Sequence, residues 1–198
     1  MQTILITGAN GQLGNEIRTI APQYTDYKFI FTDVAELDIC DKNALINFFQ
    51  NTKIDWVVNC AAYTAVAKAE QDIEAAFAIN AAAVKNIGEV AAQFGSKIIH
   101  ISTDYVFDGK HYLPYTEDMT IHPTSIYGKS KAEGELALIN ASIEYIIIRT
   151  SWLYSSFGNN FVKTMLKLGS EKETLNVIFD QIGSPTYAAD LAQAILQI

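Results

Sequence analysis

The chain has 198 residues, 49% of them hydrophobic and 18% charged, which describes a globular chain rather than a disordered one. Its 14 Lys and Arg against 22 Asp and Glu give a net charge of −8, a balance that excludes a general nucleic-acid or anionic-membrane binder, because neutralising phosphates takes a basic surface. The start, MQTILITGAN, lacks a basic leader, and no apolar run reaches the length of a membrane span, so a soluble cytoplasmic protein is expected, without nucleic-acid or membrane partners.

Short apolar runs alternate with helical patterns. Thr3–Thr7, Lys28–Thr32, Asp55–Asn59, Lys97–Ser102 and Tyr145–Thr150 read as strands, and their near-continuous apolar character suits a parallel sheet covered on both faces. Helices are expected at Gln12–Ile20, Lys42–Gln50, the alanine-rich Ile73–Phe94 and Ser125–Asn140. This alternation predicts an α/β fold, a doubly wound, mostly parallel Rossmann sheet with helices on both faces. The irregular stretch Asp108–Thr124 is long enough to be functional or mobile. Beyond it, a helix near Asn160–Leu168, a short strand at Leu175–Phe179 and a closing helical run are expected. The predicted division is a cofactor-binding domain over 1–155 and the start of a smaller substrate lobe over 156–198.

The first strand leads directly into ITGANGQLG, with Gly8, Gly11 and Gly14 at the opening of a helix. Glycines there permit a tight turn, close approach of backbone to a pyrophosphate and close helix–sheet packing. The GxxGxxG spacing is one residue longer than the common fingerprint, so its context carries the reading. Asp33 follows the second strand, where a carboxylate accepts from the adenosine ribose hydroxyls and repels a 2′-phosphate, favouring NADH over NADPH. Asp38 and Ile39 are placed to embrace adenine, and small residues after the third strand, in NCAAYT, leave room for a flat-lying cofactor.

Tyr127 and Lys131 in SIYGKSKAEGE share a helix face at i, i+4 spacing. A free phenol, with its pKa of ~10, is a poor acid at neutral pH, and a neighbouring ammonium lowers that value. Ser102, Thr103 and Asp104 stand at the end of the fourth strand, where open α/β sheets bind ligands, and a hydroxyl there can bond a substrate carbonyl. Cys40 and Cys60 lack metal or redox spacing and read as reduced core thiols. His100, His111 and His122 lack ligand spacing, so no metal is expected, and His100 reads as a buried strand residue. Trp56 is expected in the core. Glu70, Asp72 and Glu74 are expected to complement a helix start.

The ordered set TGANGQLG, NCAAYTAV, STDYVFDG, YGKSK, RTSWLY and DQIGSPT resembles the dTDP-4-dehydrorhamnose reductase family of extended short-chain dehydrogenase/reductases, across essentially the whole chain. The resemblance implies catalytic roles for Thr103, Tyr127 and Lys131. It implies cofactor contacts at Gly8, Asn10, Gly11, Gln12, Leu13, Gly14, Asp38, Ile39, Ala61, Ala62, Tyr63 and Thr64, with Tyr127 and Lys131 also at the cofactor. Asp104 and Trp152 match positions beside the sugar. The implied activity is NADH- or NADPH-dependent reduction of the 4-keto group of a dTDP-4-keto-6-deoxy sugar, with Tyr127 as proton donor. Ala67 stands where the family usually has aspartate, and the resemblance implies a substrate lobe that continues past residue 198. Two other readings stay open: a sugar-nucleotide epimerase or dehydratase on the same scaffold, and a non-catalytic cofactor-binding regulatory subunit. The oligomeric state is open as well, a homodimer being the assembly considered.

Overall fold

A computed structural model describes all residues, 1–198. Five strands form one wholly parallel sheet: β1 (Gln2–Thr7), β2 (Tyr27–Phe31), β3 (Trp56–Asn59), β4 (Lys97–Thr103) and β5 (Tyr145–Thr150), in the spatial order β2-β1-β3-β4-β5. Each of the first five strands expected from the sequence is present to within a residue or two, and the aliphatic runs explain why. Leu5, Ile6, Val57, Val58, Ile98 and Ile99 are all buried, alternate residues facing opposite helical layers.

Two apolar cores result, one per face. Leu5, Val57 and Ile98 pack with α2 (Lys42–Asn51) and α5 (Ala83–Phe94). Ile4, Ile6, Val58 and Ile99 pack with α1 (Gln12–Ile20) and α8 (Ala188–Ile195). α8 buries Ala192 and Ile195 in the same core as α1. The chain leaves the sheet at Thr150 and returns to this core at α8. The chain order reverses between β1 and β3, which opens a crevice at their carboxyl ends, the place where such sheets hold ligands.

Four expectations are corrected. The alanine-rich helix is interrupted: α3 (Val66–Ala69) precedes α4 (Ile73–Phe77), a π-helical turn occupies Ala78–Ala82, and α5 follows, closed by Gly95 at φ 71°. Leu175–Phe179 forms no strand, since no neighbouring strand lies beside it to satisfy its backbone groups; instead β6 (Leu153–Tyr154) pairs with β7 (Thr186–Tyr187). Cys40 is exposed rather than buried, and Trp56 is half-buried. No helix is long and apolar enough to cross a membrane.

Two helices remain. α6 (Ile126–Ile139) begins at Ser125, whose hydroxyl accepts from Gly128 N–H, and α7 (Phe161–Glu171) begins at Asn160, whose side chain accepts from Lys163 N–H. α7 buries none of its residues.

Candidate active site

A cleft of about 1050 Å³ opens at the carboxyl ends of the strands. Every site residue named from the sequence lines it except Asn10 and Tyr63. Asn10 sits at the rim, its backbone N–H donating to Asp33 Oδ2 at 3.0 Å. Tyr63 turns its hydroxyl to Asp72 Oδ2 at 3.2 Å, so its backbone, not its ring, borders the cleft wall.

The floor at one end is the glycine turn. Gly8 has φ +62°, and a Cβ there would stand 2.6 Å from the Ala61 backbone; a Cβ at Gly14 would stand 2.5 Å from the Ala9 backbone. Side chains are excluded at both places, so the turn and the start of α1 pack backbone against backbone beside the cleft. Gly11 caps that helix with no side-chain bond, so its first N–H groups face an incoming ligand. This cradle fits a pyrophosphate. A second sign of fit is Thr150, whose Oγ1 is buried on the cleft wall without a hydrogen-bond partner.

The far end holds Thr103, Tyr127 and Lys131, all buried. Thr103 ends β4, and its hydroxyl caps the following 3₁₀ turn at Tyr105 N–H and donates to Asp104 Oδ1 at 3.1 Å. Tyr127 packs edge-to-face on Tyr105, ring centroids 5.5 Å apart. Close approach of α6 depends on two glycines: a Cβ at Gly128 would collide with the Tyr105 carbonyl, and one at Gly134 with the Asn80 carbonyl.

Burial pushes the Tyr127 phenol above its ordinary value, and Asp104 and Tyr105 push the same way, against the hydroxyl of Thr103. Lys131 is not among the groups that move it, contrary to the expectation that a lysine one turn away would lower it. The reason is geometric. Lys131 Nζ is drawn toward β4, where it donates to Ile101 O at 2.6 Å and faces His100 Nε2 at 3.4 Å. Burial brings the Lys131 ammonium down to about 8, against the opposing influence of Glu135 and Cys60.

Behind Lys131 runs a buried polar chain that crosses the sheet. Thr7 Oγ1 and Ala61 N–H both donate to Asn59 Oδ1, which fixes that amide and leaves Nδ2 to donate to His100 Nδ1 at 3.0 Å. His100 therefore carries its proton on Nε2, the atom facing Lys131. Burial, then the charge of Lys131, holds His100 well below its ordinary value and hence neutral.

Sequence reasoning missed two supports. Asn80, buried in the π-helical turn, accepts from Tyr63 N–H at 2.9 Å and donates to Tyr63 O and Ser130 Oγ, both at 3.0 Å. It ties the wall at Ala61–Thr64 to α6. Glu135 accepts from Ser102 Oγ and pairs with Arg149, tying α6 to β4 and β5. Glu70, expected at a helix start, accepts from Ile126 N–H at the start of α6 instead.

The near wall is stapled to α1: Gln12 Nε2 donates to Leu153 O, Asn160 Nδ2 to Gln12 Oε1, and Ser155 Oγ to the buried Glu16. Trp152, with φ 49°, stands at the mouth, its ring edge-on to Phe161 and close against Gly183, where a Cβ would come within 2.5 Å of the indole nitrogen.

Known proteins resemble this chain along its whole length. The family model described as RmlD substrate binding domain matches residues 1–198. A dTDP-4-dehydrorhamnose reductase of Aggregatibacter actinomycetemcomitans is 44% identical over 198 residues, which is 100% of this chain and 67% of that protein. The crystal structure of a dTDP-4-dehydrorhamnose reductase from Clostridium acetobutylicum superposes with a TM-score of 0.95 at 47% identity, over 99% of this chain and 69% of that one. One from Bacillus anthracis, solved in complex with NADP, also gives a TM-score of 0.95, at 42% identity over 100% of this chain and 70% of that one. The chain thus spans about two thirds of the length of these relatives. Matched from its first residue to its last, the chain belongs to the RmlD substrate binding domain family.

Proposed function

We propose that the chain is the cofactor-binding and catalytic part of an NAD(P)H-dependent reductase that converts the 4-keto group of dTDP-4-dehydrorhamnose to the hydroxyl of dTDP-L-rhamnose. The observation that carries this reading is a protonated phenol, Tyr127, buried beside the hydroxyl of Thr103 in the same cleft as a glycine cradle bare of side chains. The names of the relatives supply the sugar nucleotide.

The residues divide the work as follows. The first turn of α1 holds the pyrophosphate of the dinucleotide, Asp33 accepts from the adenosine ribose, and Thr150 offers its unpartnered hydroxyl to the nicotinamide end. A bound reduced nicotinamide supplies the hydride. Thr103 donates to the sugar's C4 carbonyl oxygen and orients it. Tyr127 then gives its proton to the oxygen as negative charge develops there. A phenol raised above its ordinary pKa is fully in the acid form at neutral pH, which is the form a reduction consumes. Lys131, short of its usual basicity but still mostly charged at neutral pH, bonds the nicotinamide ribose, its Nζ being drawn toward β4 rather than the phenol. Trp152 and Asp104 border the sugar at the mouth.

The test is substrate-dependent oxidation of NADH by the purified chain, followed by the loss of reduced-nicotinamide absorbance, alongside Tyr127→Phe. Turnover lost in the variant, with NADH binding retained by fluorescence titration, supports the assignment. Turnover that survives in Tyr127→Phe removes Tyr127 as the acid. An NAD that copurifies and is never net-oxidised or reduced points to the epimerase or dehydratase reading instead.

A further inference from the structure

Lys131 and His100 are both buried, and their nitrogens meet at 3.4 Å, Nζ to Nε2. What passes between them depends on which ring nitrogen carries the imidazole proton, and that is decided at the far end of the polar chain. Ala61 N–H is a backbone donor, so Asn59 must turn Oδ1 toward it, and the same oxygen accepts from Thr7 Oγ1. Asn59 Nδ2 is left facing His100 Nδ1 at 3.0 Å and donates to it. The lone pair of Nδ1 is thereby spent, and the ring presents Lys131 with an N–H.

An ammonium has three donors and no lone pair, so it cannot accept from that N–H, whereas a neutral amine can. Ile101 O, 2.6 Å from Nζ, accepts from either form. Only the amine satisfies His100 as well. The other titratable groups that bear on Nζ favour the ammonium: Glu135, one turn along α6, and Cys60, just after β3. Arg149 on β5 is taken up by Glu135, and Tyr127 stands one turn back on α6. His100 on β4 is therefore the polar group set against the charge, acting alongside burial.

We propose that Asn59 and His100 are positioning residues that act through Lys131: by holding the imidazole proton on Nε2, they build a pocket that fits the amine, so that Lys131 can release and regain a proton where it meets the nicotinamide ribose. The meeting with the ribose rests on the cofactor reading above. The effect on Lys131 rests on the contacts alone.

The first arm of the test therefore needs no cofactor. In the purified chain carrying nitrogen-labelled histidine, NMR shifts report the tautomer of His100, and a proton on Nε2 is expected. A proton on Nδ1 overturns the proposal without any variant having to fold. Titration of the Lys131 ε-carbon signal is expected to give a midpoint about one pH unit higher in His100→Phe than in the wild-type chain, a gain of about tenfold in proton affinity. The sign decides the matter. His100→Phe makes the pocket more apolar, so if burial alone acts on Lys131 the midpoint falls or stays where it is, and either result overturns the proposal. Asn59→Leu, which frees the imidazole to turn a lone pair toward Nζ, is expected to move the midpoint up as well. In the second arm, fluorescence titration follows NADH affinity against pH. Affinity is expected to fall as pH passes about 8 in the wild-type chain, and about one pH unit higher in His100→Phe. A fall at the same pH in both overturns the link to the cofactor. A wild-type chain that binds no NADH at any pH overturns the cofactor reading, while the NMR arm still decides what His100 does to Lys131.

Discussion

Glu135 on α6 and Arg149 on β5 form a two-pronged ion pair: Arg149 Nε donates to Oε1 at 3.0 Å and Nη2 to Oε2 at 2.7 Å, while Ser102 Oγ donates to Oε1 at 2.5 Å. Glu135 is 1% exposed, so its charge has no recourse to water. Removing Arg149 alone strands that charge, and Arg149→Met is expected to lower unfolding free energy by about 3–5 kcal/mol. Replacing both with apolar residues, Glu135→Leu with Arg149→Met, is expected to recover most of the loss. Urea unfolding of the two single variants and the double variant checks this; a double variant as unstable as Arg149→Met would show that packing rather than the stranded carboxylate sets the effect.

Asn80 supports the cofactor wall through three hydrogen bonds made from within the core. Asn80→Ala leaves Tyr63 N–H and O without their partner and is expected to destabilise by about 2–4 kcal/mol. Because the clamp orients Ala61–Thr64, NADH affinity is expected to fall as well, by about tenfold. Thermal melts and NADH titration measure the two effects separately. A variant that melts early yet binds NADH normally would confine Asn80 to a structural role.

The glycine turn predicts a different pattern. At Gly14 a Cβ has nowhere to go but into the Ala9 backbone, and that backbone is part of the cradle. Gly14→Ala is expected to abolish measurable NADH binding even where the chain still folds. By contrast Gly169→Ala, at an exposed position of α7 with nothing near its Cβ, is expected to stabilise modestly, by about 1 kcal/mol or less. The pair of titrations and melts separates a glycine needed for close approach from one that is merely present.

Much of this was legible in the residues, for physical reasons that also explain the gaps. A strand buried on both faces must be apolar throughout, so TILIT and DWVVN identify themselves, and the glycine turn has to follow the first of them. Leu175–Phe179 is equally apolar but has no strand beside it, and apolarity within a segment says nothing about a partner elsewhere in the chain. Leu153–Tyr154 and Thr186–Tyr187 are too short for any period to show. The π-helical turn was hidden because alanine suits any helix, and only the side chain of Asn80 marks the place. Tyr127 and Lys131 were correctly set on one face, but helical spacing could not tell that Lys131 would reach across to Ile101 O rather than toward the phenol.

The buried pair His100–Lys131 leads to a pH dependence with a definite sign. Lys131 has a folded value of about 8 against an ordinary 10.5, so between those limits the unfolded chain holds more protons than the folded one. Stability must then rise with pH through that window, the penalty of burying the ammonium being fully present below about 8 and relieved above it. Cys60 acts oppositely: burial raises its thiol from 9.0 to about 12, so above pH 9 the folded chain holds the extra proton and stability falls. From about pH 8 to 9 the rise belongs to Lys131. His100, held well below 6.5, adds a loss of stability as pH falls through 6.5, where the unfolded chain takes up a proton that the folded chain refuses. Melting temperatures of the wild-type chain and Lys131→Met across pH 7.5–9 give the measurement. The expected outcome is a wild-type melting temperature that climbs relative to that of the variant over this range. A difference independent of pH would mean that Lys131 keeps its ordinary basicity in the folded chain, and that the polar chain from Thr7 to His100 does not bear on its charge.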